Sequence, residues 1–122
     1  GNTGSYPYAA GLRWDLDLMA PKQNRLTNLQ TRQEDGSWVA LNPESTYKVI
    51  TIDFLADGKD GYQHFATAPG IAREDTFLPY ADSFLKYVQS HPTLERLPDP
   101  EYSTQTIKGM PSLDKWLGFL KK

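Results

Sequence analysis

This chain predicts an α+β fold, a mainly antiparallel or mixed sheet with helices packed on it, and three observations carry that reading. From Tyr8 to Leu18 apolar and polar residues alternate at period two, the mark of a half-buried strand, and further strand segments follow in the first half. The second half carries apolar residues at helical spacing. Clusters of Pro, Gly, Asn and Asp cut the chain into short segments between them. Strands first and helices later point to α+β rather than to alternating layers.

From Tyr8 to Leu18, Leu12, Trp14, Leu16 and Leu18 share one face while Arg13, Asp15 and Asp17 share the other. Pro21 to Asn24 breaks this strand, and a second is predicted from Leu26 to Arg32. Glu34-Asp35-Gly36-Ser37 is a hairpin signal, with a return strand at Trp38 to Leu41 and a turn at Asn42-Pro43-Glu44-Ser45. Tyr47 to Ile52 is apolar or β-branched at nearly every position, so it reads as a central strand buried on both faces. Gln63 to Ala68 predicts a short helix ended by Pro69-Gly70. Thr76 is the expected N-cap of a longer helix, with Phe77, Tyr80, Ala81, Phe84, Leu85 and Val88 on one stripe and His91-Pro92 as its stop. Leu97 to Pro100 reads as an extended connector and Ser103 to Ile107 as a short strand. Ser112 is placed to cap a last helix burying Leu113, Trp116, Leu117 and Leu120.

A chain of 122 residues supports one domain and one core. Thirteen basic residues against fifteen acidic, without a basic run, argue against nucleic acid as a partner. No apolar stretch approaches the length of a membrane span, and no signal peptide is visible. Gly1-Asn2-Thr3-Gly4 has the look of a cloning scar or a cut edge. Cysteine is absent, so disulfides and thiolate metal sites are excluded.

The residues carry little sign of catalysis. His64 and His91 are the only histidines and lie far apart, so each reads as a surface or capping residue rather than a metal ligand. Asp53, Asp57 and Asp60 do not make a calcium loop, because Leu55 and Lys59 stand where oxygen ligands are needed. Asp15 and Asp17 point the same way from one strand, which a solvated sheet face explains better than a catalytic pair. No nucleophile elbow or phosphate cradle is present. What stands out is Phe54 leading into Gly58-Lys59-Asp60-Gly61-Tyr62. Two glycines around one carboxylate permit a tight turn and close approach of a ligand. An aromatic six positions before that carboxylate adds a flat stacking surface beside a polar anchor. The pairing suits a nucleoside, whose base has a π-face and whose ribose offers hydroxyl donors.

Tyr47-Lys48-Val49-Ile50-Thr51-Ile52-Asp53-Phe54-Leu55-Ala56-Asp57-Gly58-Lys59-Asp60-Gly61-Tyr62 resembles the signature of the C-terminal domain of 5′-nucleotidases, which runs roughly Y-x-V-x-T-N-D-F-L-A-x-G-G-D-G-Y/F. Ser5-Tyr6-Pro7-Tyr8-Ala9-Ala10-Gly11-Leu12-Arg13-Trp14 is similar to that family's G-F-L-Q-V-S-G-L-R-Y segment, and Tyr102-Ser103-Thr104-Gln105 to a tail in some microbial members. The resemblance implies a secreted, periplasmic or cell-surface hydrolase of nucleoside 5′-monophosphates. Its N-terminal metallophosphoesterase domain holds two divalent metal ions, and its C-terminal domain captures the nucleoside. Carried over residue by residue, it makes Phe54 one stacking ring, Tyr6 the other, and Asp60 the ribose anchor, with Gly58 and Gly61 shaping the turn.

Three departures qualify the match. Lys59 replaces a glycine, so a left-handed conformation there would be strained. Ile52 stands where the family often has Asn. The first half of the family's C-terminal domain and the whole metal domain have no counterpart in these residues. The expectation is therefore that residues 1–122 are the C-terminal part of one substrate-recognition domain, inactive alone. It would be partnered by the missing N-terminal part of the same polypeptide or paired as a dimer through an exposed edge. A 2′,3′-cyclic-nucleotide phosphodiesterase or a nucleotide-sugar hydrolase would share the same domain, and a stand-alone binding module would equally lack catalytic residues.

Overall fold

The computed structural model describes residues 5–110, which group into two compact units: residues 7–45 with 97–110, and residues 5–6 with 46–96. The expected last helix, from Ser112 onward, lies outside the described residues.

The first unit is a four-stranded mixed sheet of β1 (Leu12–Asp17), β2 (Leu26–Arg32), β3 (Trp38–Ala40) and β4 (Thr104–Lys108), in the order β3-β2-β1-β4. β1, β2 and β3 run antiparallel to their neighbours, whereas β4 joins β1 in parallel. The four strands predicted for these segments are present, with β4 displaced by one residue from the expected span. Gly36, at φ +84, closes the hairpin between β2 and β3. The Asp35 carboxylate there accepts from the Ser37 hydroxyl at 2.6 Å and the Ser37 amide at 2.9 Å.

Trp14 is buried to 2% exposure on β1, and its amide donates to the Ser103 carbonyl at 2.8 Å. The ladder shifts register beside it on both edges, between Arg13 and Asp15 toward β2 and between Trp14 and Asp15 toward β4. On the β2 side the extra residue falls at Asn28-Leu29, and Asn28 adopts φ +51, a left-handed conformation that Asn tolerates better than most residues. Arg13 binds the sheet laterally. Its Nε donates to Gln30 Oε1 at 2.7 Å, Nη1 donates to the Pro100 carbonyl at 3.0 Å, and the guanidinium lies 4.3 Å from the Trp38 ring centroid.

The second unit contains α1 (Asp53–Ala56), a single 3-10 turn (Lys59–Gly61), α2 (Gln63–Thr67) and α3 (Tyr80–Ser90). Two expectations are corrected here. Tyr47 to Ile52 is not a buried strand: it pairs with no strand among the described residues, and Val49 and Ile50 are 64% and 89% exposed. β-propensity needs a partner edge to become a ladder, and the sheet's ladders all lie in the other unit. Thr76 is not the N-cap of α3, because Pro79 takes that position. A residue before proline is driven out of the helical region, so Leu78 cannot continue a helix from Thr76. Instead the Asp75 carboxylate accepts from the Phe77 amide at 2.7 Å, with Phe77 at φ +52. The apolar stripe of α3 is present but uncovered, with Phe84 and Leu85 both more than half exposed.

Asp15 accepts from the Thr106 hydroxyl at 2.6 Å and from Asn28 Nδ2 at 3.2 Å, stitching β1 to both neighbours. The Thr106 bond, with help from Asn28 and the Lys108 charge, holds the Asp15 carboxyl below its ordinary value of 3.8. A depressed folded-state pKa stabilises the fold above the unfolded value, and that contribution is lost as pH falls through the folded value. Thr106→Val is therefore expected to raise the Asp15 pKa toward 3.8 and to lessen the loss of stability in acid. Carboxyl-carbon NMR titration of both proteins checks this, and an unchanged Asp15 midpoint would reject Thr106 as the cause.

Candidate functional site

Phe54 is the second residue of α1, a single turn whose bonds run from the Ala56 amide to the Ile52 carbonyl at 3.0 Å and from the Asp57 amide to the Asp53 carbonyl at 2.7 Å. Phe54 is 51% exposed. Gly58 ends the helix at φ +80, the left-handed conformation that favours glycine. A Cβ there would stand 3.1 Å from Gln63 Cα and 3.2 Å from Ala66 Cβ, so α2 seats directly on the turn.

Lys59, where a left-handed conformation would be strained, does not adopt one. Gly58, Asp60 and Gly61 carry the positive φ angles, with Asp60 at φ 52 and ψ 29, and Lys59 is not among them. Asp is one of the few non-glycine residues that tolerate this region, since its short side chain clashes least and can bond locally. The conformation turns the Asp60 carboxylate outward. It is exposed and has no hydrogen-bond partner among the described residues.

Tyr62 closes the turn. Its amide donates to the Lys59 carbonyl at 3.0 Å, its ring stacks on Phe65 with centroids 5.7 Å apart, and its hydroxyl donates to the Ser5 carbonyl at 2.9 Å. That last bond ties Ser5, the residue before half-buried Tyr6, to the end of the glycine turn across 57 residues of sequence. Gly58, Asp60 and Gly61 thus share one turn, Phe54 lies one helical turn before them, and Ser5, next to Tyr6, is bonded to the residue that closes the turn. Sequence reasoning noted Tyr62 only as an aromatic flank, because nothing local signals a bond to so distant a carbonyl. It also missed the ion pair of Arg73 with Asp57 at 2.7 Å, both about half exposed.

Other candidates have structural roles. His91 caps the C-terminus of α3, its ring stacked on Tyr87 at 4.3 Å and its Nδ1 3.0 Å from the Tyr87 carbonyl. Asp17 accepts from the Met19 amide at 2.9 Å. Among the described residues no group of three His, Cys, Asp or Glu is placed to hold a metal ion, so the residues present do not fit a dimetal centre.

Residues 1–67, which include every one of the candidate site residues, match the family model of the 5′-nucleotidase C-terminal domain. The NAD 5′-nucleotidase of Haemophilus influenzae is 32% identical over 93% of this chain, which spans 19% of that protein. Two solved structures are similar. The 5′-nucleotidase precursor from Thermus thermophilus has a TM-score of 0.72 at 30% identity, over 84% of this chain and 19% of its own. The Haemophilus influenzae NAD nucleotidase has a TM-score of 0.76 at 28% identity, over 90% of this chain and 20% of its own. The chain belongs to the 5′-nucleotidase C-terminal domain family, an α+β domain of an enzyme family of hydrolases. It spans about a fifth of the length of these relatives.

Gly58 and Gly61 separate two costs of adding a side chain. Gly61, at φ +91, has nothing within 4 Å of the position a Cβ would take, so Gly61→Ala carries conformational strain alone, about 1–2 kcal/mol. Gly58→Ala adds a clash with the Gln63 backbone and is expected to destabilise more. Urea unfolding of the two variants measures the difference, and equal losses would show that α2 moves freely away from the turn.

Proposed function

We propose that this chain is the nucleoside-recognition part of a secreted or periplasmic 5′-nucleotidase-type hydrolase that releases phosphate from nucleoside 5′-monophosphates. The observation that supports it best is the exposed Asp60 carboxylate, without a hydrogen-bond partner among the described residues, on a glycine turn that follows directly from the exposed Phe54 of α1. Phe54 and Tyr6 stack the base, Asp60 accepts from the ribose hydroxyls, and Gly58 and Gly61 let the backbone hold that geometry. Metal-activated water belongs to further polypeptide, and this chain's task is to position the sugar and base for that step. The exposed apolar side chains of Val49, Ile50, Phe84 and Leu85 fit a domain completed by more of the same polypeptide. No helix among the described residues is long and apolar enough to cross a membrane.

Two experiments follow. Residues 1–122, purified alone, are expected to leave AMP intact even with Mn²⁺, Zn²⁺ or Co²⁺ added. Metal-dependent phosphate release by a contaminant-free sample would overturn the division of labour.

In the complete polypeptide that carries these residues, Phe54→Ala is expected to cost about 1–3 kcal/mol of base binding, by analogy with base–aromatic stacking elsewhere. It should narrow the gap between AMP and ribose 5-phosphate, which has no base. Asp60→Asn keeps the shape and loses the charge, so it should narrow the gap between AMP and its 2′,3′-dideoxy analogue. Both effects are expected mainly in KM. Wild-type kinetics for both variants on every substrate would make the glycine turn a structural loop only.

A further inference from the structure

We infer that the Tyr62 hydroxyl is a positioning group for base recognition, acting through Tyr6. This rests on the nucleoside-site reading above and adds a residue to it. Tyr62 does two things at once. Its backbone amide closes the 3-10 turn that carries Asp60, and its side chain holds the carbonyl of the peptide joining Ser5 to Tyr6. The nitrogen of that peptide belongs to Tyr6, so holding its plane places the Tyr6 N–Cα bond from which the side chain departs. The ring that delivers the hydroxyl is itself held, stacked on Phe65 at an interplanar angle of 17°. Phe65 belongs to α2, the same helix that seats on Gly58. One short segment, residues 58–66, therefore sets the ribose anchor and the backbone position of the second aromatic together.

Tyr62→Phe removes the hydroxyl and keeps the ring and its stack on Phe65, so it tests the bond rather than the packing. In the complete polypeptide, four proteins are compared on AMP and ribose 5-phosphate: wild type, Tyr62→Phe, Tyr6→Ala and the double variant. Tyr62→Phe is expected to lower the kcat/KM preference for AMP over ribose 5-phosphate by about threefold to tenfold, the scale of one lost hydrogen bond. The loss should appear in KM for AMP, with ribose 5-phosphate kinetics and the unfolding midpoint close to wild type. If the hydroxyl acts through Tyr6, the double variant loses no more base preference than Tyr6→Ala alone. Equal losses on both substrates, or losses that add in the double variant, would reduce Tyr62 to a structural residue. A preference lost in Tyr6→Ala and kept in Tyr62→Phe overturns this inference and leaves the nucleoside site standing. A preference kept in Tyr6→Ala removes Tyr6 from the site and the inference with it.

Discussion

Trp14 is the constraint around which the sheet is organised. It is the one apolar side chain among the described residues that is buried outright, and its amide is bonded across the strand edge to Ser103. Both neighbouring strands shift register beside it. A bulky indole on a central strand tolerates little change in its surroundings, so the ladder adjusts rather than the side chain. Asn28 absorbs one adjustment by going left-handed, and the Asp15 carboxylate ties both displaced neighbours back to β1 through Asn28 and Thr106. The Arg13 stack over Trp38 extends the same stitching to the far strand. Polar contacts across the exposed face thus do much of what a second buried layer would do in a thicker sheet.

In the helical unit the organising constraint is backbone conformation. Gly58 cannot carry a Cβ without meeting α2, and Asp60 is held left-handed between two glycines of the same hand. Strain of this kind persists only where neighbouring bonds over-determine it. Here they come from the Gly58 amide on the Leu55 carbonyl and the Tyr62 amide on the Lys59 carbonyl. The consequence is chemical: an exposed carboxylate with no hydrogen-bond partner among the described residues, on the turn that follows the half-exposed Phe54.

The first strand of the sheet was legible because a half-buried strand writes its alternation directly into the sequence, as Leu12 to Asp17 does, whereas Leu26 to Arg32 was delimited by the turn signals on either side of it. The glycine turn was legible for a related reason. Left-handed backbone restricts residue choice, so Gly58 and Gly61 announce it, although Asp60 rather than Lys59 takes the third left-handed place. Tyr47 to Ile52 was misread because β-branched composition reports what a segment is suited to, and pairing depends on an edge elsewhere. The start of α3 was misread because a Thr before an apolar stripe looks like a cap until Pro79 is weighed against the residue preceding it.

By itself, then, the sequence determined the α+β class, the position of the strands, the residues of the turn and the family to which the chain belongs. These follow from local rules: periodicity, glycine conformations, and motif residues at short spacing. Tertiary structure alone decided that β4 runs parallel to β1, that the ladder slips at Trp14, that Asp15 is held below its ordinary pKa by Thr106, and that Tyr62 reaches Ser5. Each of these joins residues far apart along the chain, and no pattern of neighbours encodes which distant carbonyl or strand edge folding will bring within bonding distance.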